Sequence, residues 1–319
     1  MEHRVILVTG GCGYIGSALI PYLAERENVT LRIVDNFSSG HARSLMNLPS
    51  GVRYEFVEGD ILDPGLLGLV TQDVDVVIHL AAVVRNPFSF EYSREFEQVN
   101  HWGTAHLIEA CIEAGVRRLV YVGSTAVYDP AIDLTEDAPT RPVGSFAESL
   151  LNAEHAVRAA NVRGLSATIL RAGVVYGGAP NTRFDEVVNR LTVLAATGRP
   201  LTIFGDGEQR RPVVHVRDVC DAVAFSLTNS KTEHQTFNVA ESNPSIVEMK
   251  DSILNARPDV RVRFTEQDLR TRLSFSVSAQ KFRSVGWEPS FTLHDGIRGL
   301  LDQFRGFADW RAAGAAEDT

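Results

Sequence analysis

Residues 9–17 of the chain read T-G-G-C-G-Y-I-G-S, with glycines at Gly10, Gly13 and Gly16. A bound pyrophosphate asks for this spacing. The turn must be tight, backbone must approach the anion closely, and the following helix must pack on the preceding strand; each demand removes a Cβ. A helix that starts there also turns its free N–H groups and the positive end of its dipole toward the charge. Gly10, Gly13, Tyr14, Ile15 and Gly16 are therefore the candidates for holding a dinucleotide pyrophosphate. Asp35 follows Gly16 by 19 residues, at the end of the next apolar run. A carboxylate there accepts hydrogen bonds from ribose hydroxyls and repels a 2′-phosphate, which favours NAD over NADP. Cys12, inside the turn, reads as a packed small residue rather than a reactive thiol.

Strands must deliver these residues to one edge. Apolar runs at 4–9, 30–35, 53–57, 74–80, 117–123 and 166–171 read as strands, with helix-period segments at 14–27, 104–114 and 146–160 between several of them. Buried strands interleaved with helices specify an α/β fold, a Rossmann-type doubly wound parallel sheet. From about residue 175 glycine and proline become frequent and the order loosens. The expected division is thus 1–174 for the dinucleotide-binding domain and 175–310 for a smaller α/β substrate-binding domain, with chain exchange between them allowed, and 311–319 as a frayed tail. The net charge of -9 argues against a nucleic-acid partner, which needs a basic stripe. No apolar run approaches the roughly 18 residues of a membrane span, and the chain opens on a strand rather than a signal peptide. Three widely spaced cysteines (Cys12, Cys111 and Cys220) form neither a disulfide framework nor a metal site. A cytoplasmic protein with no metal is expected.

With these motifs in view, the chain resembles the extended short-chain dehydrogenases/reductases, the NAD-dependent epimerase/dehydratase family that remodels nucleotide-linked sugars. The resemblance runs from Arg4 to about Leu301. It rests on the glycine turn, D-N-F-S-S-G at 35–40, E-G-D-I at 58–61, H-L-A-A at 79–82 and V-N-H-W-G-T at 99–104. Further on come G-S-T-A-V-Y at 123–128, V-V-Y-G at 174–177, and G-D-G-E-Q-R-R-P-V-V-H-V-R-D-V at 205–219. It implies that Asn36 and Ser38 join Asp35 at the cofactor and that Asp60 and Ile61 contact the adenine. Leu80, Ala81 and Ala82 would pass under the pyrophosphate and nicotinamide ribose, and Asn100 would brace the neighbouring strands.

The family also places a Tyr, and a Lys four residues later, on one helix face as its proton-transfer pair. The matching segment is P-V-G-S-F-A-E-S-L-L-N-A-E at 142–154, where Phe146 stands for the Tyr and Leu150 for the Lys. Neither can exchange a proton. Helical spacing instead makes Phe146, Leu150, Ala153, Val157 and Ala160 one apolar stripe. Ser124 keeps the family's Ser/Thr position, while Thr125 and Ala126 replace the acidic pair of the dehydratase branch. Tyr128 is the nearest phenol that could substitute; a structural role is the competing reading. His79 and Glu148 read as structural and solvated. Arg85, Asn86 and His101 are substrate-loop candidates.

On the substrate side the resemblance assigns Arg211 and Arg270 to a nucleotide diphosphate, Asn189 to the pocket border and Phe204 to the base. Val174 departs from the Asn that the family commonly places before V-Y-G. Two enzymatic readings follow, a nucleotide-sugar enzyme with a rewired active site or non-redox chemistry on the same fold. A non-catalytic NAD-binding sensor or scaffold is the third. Dimerisation through the helices at 104–114 and 146–160 is implied by resemblance alone.

Overall fold

In the computed structural model, which describes residues 3–26, 28–84, 93–266 and 274–307, apolar strands buried on both faces form the centre. The first half runs β1 (Arg4–Thr9), α1 (Tyr14–Ala24), β2 (Val29–Asp35), β3 (Arg53–Glu58), α2 (Pro64–Val70) and β4 (Val76–His79). It continues through α3 (Ser93–Phe96), a wide π-type turn (Glu97–Gly103), α4 (Thr104–Glu113), β5 (Arg118–Ser124), α5 (Ser145–Ala160) and β6 (Ser166–Ala172). Next come β7 (Val174–Tyr176), α6 (Val187–Ala196), β8 (Leu201–Phe204), β9 (Val213–His215) and α7 (Val216–Thr228). The chain ends with β10 (Thr236–Val239), α8 (Ile246–Ala256), β11 (Val262–Thr265), α9 (Gln280–Ser284) and α10 (Leu293–Asp302).

Seven strands pair in the order β10-β6-β5-β4-β1-β2-β3, every pair parallel. Alternation along a strand sends neighbouring side chains to opposite faces. In β1, Ile6 and Val8 enter the core under α1 and α7, whereas Leu7 enters the core under α2, α4 and α5. This double cover is why the strands read as unbroken apolar runs. The chain starts in β1, adds β2 and β3 on one side and then returns to add β4 on the other. At such a reversal two adjacent connections leave in opposite directions, and a crevice opens at the carboxyl ends of the strands.

The expected boundary at residue 174 is crossed. Beyond it, α7 packs on the first core, and β10 pairs with β6 as the seventh strand, Thr236 opposite Ile169. The smaller part consists of the parallel pairs β7–β9 and β8–β11 with α6, α8 and α10 around a core of Tyr176, Leu191, Ile203, Met249 and Ile297. Its helix starts are well specified. Ser245 and Glu248 form a reciprocal capping box at α8, and the Thr292 hydroxyl accepts from the Asp295 N–H at α10. Among the described residues no helix is long and apolar enough to cross a membrane, and no group of three His, Cys, Asp or Glu could hold a metal ion.

Candidate cofactor and active site

At the end of β1 the chain enters the glycine turn with Gly10 at φ +70°. A Cβ there would lie 2.6 Å from the Ala81 nitrogen, and one on Gly16 would lie 2.5 Å from the Gly10 carbonyl oxygen. The turn, the segment after β4 and the start of α1 therefore touch backbone to backbone. The Tyr14 hydroxyl does not face the turn's mouth. It donates to the Gly177 carbonyl at 2.5 Å and accepts from Asn189 Nδ2 at 3.2 Å, so Tyr14 offers a ligand its backbone only. Cys12 is fully buried, and burial, with Asp35 beside it, pushes its thiol up to about 12.

Asp35 ends β2. Its Oδ2 accepts from the Cys12 N–H (2.9 Å) and its Oδ1 from the Phe37 N–H (2.8 Å), which ties the turn to the next loop. Each oxygen keeps a second acceptor position. Asn36 donates to Asp60 Oδ2 (2.9 Å) and accepts from the Ser38 N–H (3.0 Å), while Asp60 Oδ1 accepts from the Leu62 N–H (2.9 Å). Ile61 is buried under the π-type turn, where a Cβ on Gly103 would meet it at 2.5 Å. Asn100, on that turn, accepts from the Val83 N–H (2.8 Å) and donates to the Val83 carbonyl (3.2 Å) and to Ser149 Oγ (3.0 Å). It braces the segment of Leu80, Ala81 and Ala82 against α5. His79 lies beneath, its ring nitrogens on Thr9 Oγ1 (2.6 Å) and Thr104 Oγ1 (2.9 Å). Burial lowers it to about 4, so it is neutral and structural.

The other half of the strand edge is apolar. Phe146 and Leu150, one turn apart on α5, pack with Phe96, Val127, Leu134, Ala240 and Val277; the Phe96 and Phe146 rings meet edge to face at 5.5 Å. Ala153, Val157 and Ala160 continue the stripe into the core below. Ser124 ends β5, its Oγ accepting from the Ala126 N–H at 3.1 Å. Tyr128 does not take the position of a proton carrier. Its hydroxyl donates to Asn238 Oδ1 at 2.8 Å, its ring lies 4.7 Å from the Arg171 guanidinium, and burial pushes the phenol up from its ordinary value. Asn238 in turn donates to the carbonyls of Leu134 (3.1 Å) and Ser278 (3.0 Å), and its N–H bonds to Glu136 (2.8 Å). Below this, Arg171 and Glu154 are both fully buried and joined by three bonds at 2.8, 3.0 and 3.1 Å, with Arg158 adding a fourth at 2.9 Å. A buried carboxylate survives only when so compensated.

Substrate-side candidates are scattered over the smaller part. Asn189 is buried and fully engaged: its Oδ1 accepts from the Gly177 N–H (2.9 Å), and its Nδ2 donates to Tyr14 and to the Arg183 carbonyl (2.9 Å). The expected inward-pointing amide is therefore a structural one, holding the 177 turn. Phe204 is partly exposed with the Arg190 guanidinium 5.9 Å from its ring. Arg211 is half-buried, its Nη1 donating to the Arg210 carbonyl at 2.8 Å. His101 bonds Glu97 at 2.5 Å on the same helical run, and Glu148 is exposed. Arg85, Asn86 and Arg270 lie outside the described residues. Two contributors escaped sequence reasoning. Arg171 stands 17 positions after its partner Glu154, and Asn181 is a lone amide in a loop; no local pattern announces either.

A family model described as the NAD dependent epimerase/dehydratase family matches residues 6–240. A UDP-glucose 4-epimerase of Mycolicibacterium smegmatis is 31% identical over 310 residues, covering 94% of this chain and 98% of that protein. A dTDP-D-glucose 4,6-dehydratase of Mus musculus is 29% identical over 326 residues, 97% of this chain and 91% of that one. The crystal structure of DesIV, a dTDP-glucose 4,6-dehydratase from Streptomyces venezuelae with NAD and TYD bound, matches with a TM-score of 0.85 at 26% identity, covering 94% of this chain and 97% of that one.

Proposed function

Because the chain belongs to the NAD-dependent epimerase/dehydratase family, we propose that it is a nucleotide-sugar enzyme whose usual proton-transfer pair is replaced by Phe146 and Leu150. NAD is the cofactor, and when bound it supplies the acceptor and donor of a hydride. The described residues fit it: Gly10 and Gly16 leave no room for a Cβ, so backbone alone lines the turn. Gly10, Gly13, Tyr14, Ile15 and Gly16 would hold the pyrophosphate through that backbone. Asp35, Asn36 and Ser38 would take the adenosine ribose, with Asp60 and Ile61 at the adenine. Leu80, Ala81 and Ala82 would lie along the nicotinamide ribose, kept in place by Asn100.

The substrate in this reading is a small molecule, a nucleotide diphosphate sugar, gripped by Arg211 with Arg85 and Arg270, its base against Phe204. Asn189 contributes by holding the loop. Oxidation of a sugar hydroxyl requires a proton to leave its oxygen. Ser124 can accept the Ala126 N–H and still donate its own proton, so it can orient that oxygen and relay to water. It cannot store the proton as a Tyr–Lys pair does. General acid–base help is worth roughly 10²–10⁴-fold, so turnover is slow. The acidic charge and three buried, unpaired cysteines suit a cytoplasmic enzyme, and α4 with α5 is the proposed homodimer surface.

The observation that carries this reading is the glycine cradle closed by Asp35 at the strand-order reversal. Calorimetric NAD titration, followed by incubation with UDP-glucose and dTDP-glucose under near-ultraviolet observation of NADH, tests it. Binding with slow turnover supports the enzyme. The packed Phe96–Phe146–Leu150 cluster favours a second reading, a non-catalytic NAD sensor, which binding without any turnover would select.

A further inference from the structure

The phosphate turn is held from the smaller part of the molecule as well as from its own half. The Asn181 side-chain amide donates to the Cys12 carbonyl (3.1 Å) and to the Ser39 carbonyl on the loop after β2 (3.1 Å). Its oxygen accepts from Arg43 (3.2 Å), and its backbone N–H donates to Ser17 Oγ (3.2 Å) in the first turn of α1. One buried residue of the β7–α6 connection thus spends every polar atom of its side chain on the dinucleotide turn and the segment after β2. The Cys12 peptide is fixed on both sides, its N–H by Asp35 and its carbonyl by Asn181. A second grip joins the same connection to the same turn, where the Tyr14 hydroxyl meets the Gly177 carbonyl and Asn189.

These bonds cannot be given up singly at no cost. Withdrawing the Asn181 amide takes one donor from the buried Cys12 carbonyl, which keeps the Ser44 hydroxyl at 3.0 Å, and one from the carbonyl of exposed Ser39, and it cuts the direct link between the turn and the 177–186 connection. The glycine turn and the 177–186 connection therefore share one conformational state. We infer that Asn181 is a positioning residue that transmits occupation of the dinucleotide turn to the 177–186 connection, so that a ligand ordering the turn also orders the substrate-side loop. The transmission runs from the turn through the Cys12 carbonyl to Asn181, and from there to the Gly177, Ala179 and Asn181 amides, which bond Asn189 Oδ1, Thr182 Oγ1 and Ser17 Oγ. It rests on NAD being the ligand of the turn.

Hydrogen exchange of the full chain with and without NAD, read by peptide mass spectrometry, tests this. In the unsubstituted protein, NAD is expected to slow exchange both in 5–20 and in 177–189, the latter by about 5- to 150-fold, the usual range for coupled sites. In Asn181→Ala, protection of 5–20 persists while that of 177–189 disappears. Asn181→Asp keeps the size but points a carboxylate at two carbonyls, and gives the same loss. Arg43→Ala removes one exposed partner without touching the core and gives a partial loss, which keeps the test decisive if the Asn181 variants fail to fold. Protection of 5–20 alone in the unsubstituted protein overturns the inference and leaves the cofactor standing. So does protection of 177–189 that survives in the variants, which would mean direct contact with NAD. No protection in either segment overturns the NAD reading and the transmission together.

Discussion

The carboxyl edge of the sheet carries two regions built on opposite terms. Around β1, β2 and β4, backbone is exposed on purpose: glycines strip the turn of side chains, and Asp35, Asn36, Asp60 and Asn100 fasten the loops through named hydrogen bonds. Around β5 and β6, side chains fill the space, and Phe96, Phe146, Leu150 and Val277 pack as a small core. The polar groups of that second region, Tyr128, Asn238, Glu136, Arg171 and Glu154, are turned below it and satisfied by one another, by Arg158 and by neighbouring carbonyls. In the proposed reading the first region receives the dinucleotide, and in the second packed side chains stand where the family's proton-transfer pair would be.

The sharpest way to break this contrast is to restore polarity to the second region. Phe146→Tyr with Leu150→Lys is expected to raise turnover of UDP-glucose or dTDP-glucose by roughly 10²–10⁴-fold, the ordinary worth of general acid–base help. Unchanged turnover with NAD still bound would show that the cluster, and not the missing pair, sets the limit. The polar layer beneath gives the next largest effect. Arg171→Met leaves the buried Glu154 short of its main partner and should cost about 3–5 kcal/mol, read from the denaturation midpoint. A loss under about 1 kcal/mol would mean that Arg158 alone compensates the carboxylate.

In the first region, Gly10→Ala meets both the Ala81 backbone and the positive φ. The φ alone costs about 1–2 kcal/mol of folding stability, and the shift that relieves the clash displaces the phosphate-facing backbone, so NAD affinity should fall about tenfold by calorimetry. Stability beneath the cradle should depend on pH. The folded His79 titrates at about 4, below the 6.5 of a free imidazole, so the unfolded chain takes up its proton first as pH falls. The contribution is complete above about pH 6.5 and is lost as pH drops toward 4; by pH 5 the loss amounts to about 2 kcal/mol. His215, also lowered to about 4 by burial, adds a similar slope. His79→Asn should therefore flatten, but not abolish, the fall in melting temperature between pH 7 and pH 5.

The contrast also explains what could be read from residues alone. The cradle was legible because backbone geometry demands glycine at fixed spacing, and five of the seven strands were legible because double burial writes itself as apolar runs, while the edge strand β3, RYEFVE with no buried residue, showed only through its β-favouring residues. The stripe from Phe146 to Ala160 followed from helical periodicity. What stayed hidden is decided by partners distant in sequence. Tyr128 and Asn189 were placed near the right surfaces, but which way a polar side chain turns depends on Asn238 in one case and on Tyr14 and Gly177 in the other. β10 has only four residues and owes its place to an open edge on β6.

That last strand sets a condition on synthesis. When Ala172 has left the ribosome, six parallel strands exist but β6 still presents a bare row of hydrogen-bonding groups, and the strand that covers it starts only at Thr236. At about 5–20 residues per second the gap lasts roughly 3–13 s. During that interval the nascent chain carries the kind of unprotected edge that recruits other strands. Truncated forms ending between these residues should accumulate as aggregates, whereas chains extended past Val239 cover the β6 edge with β10.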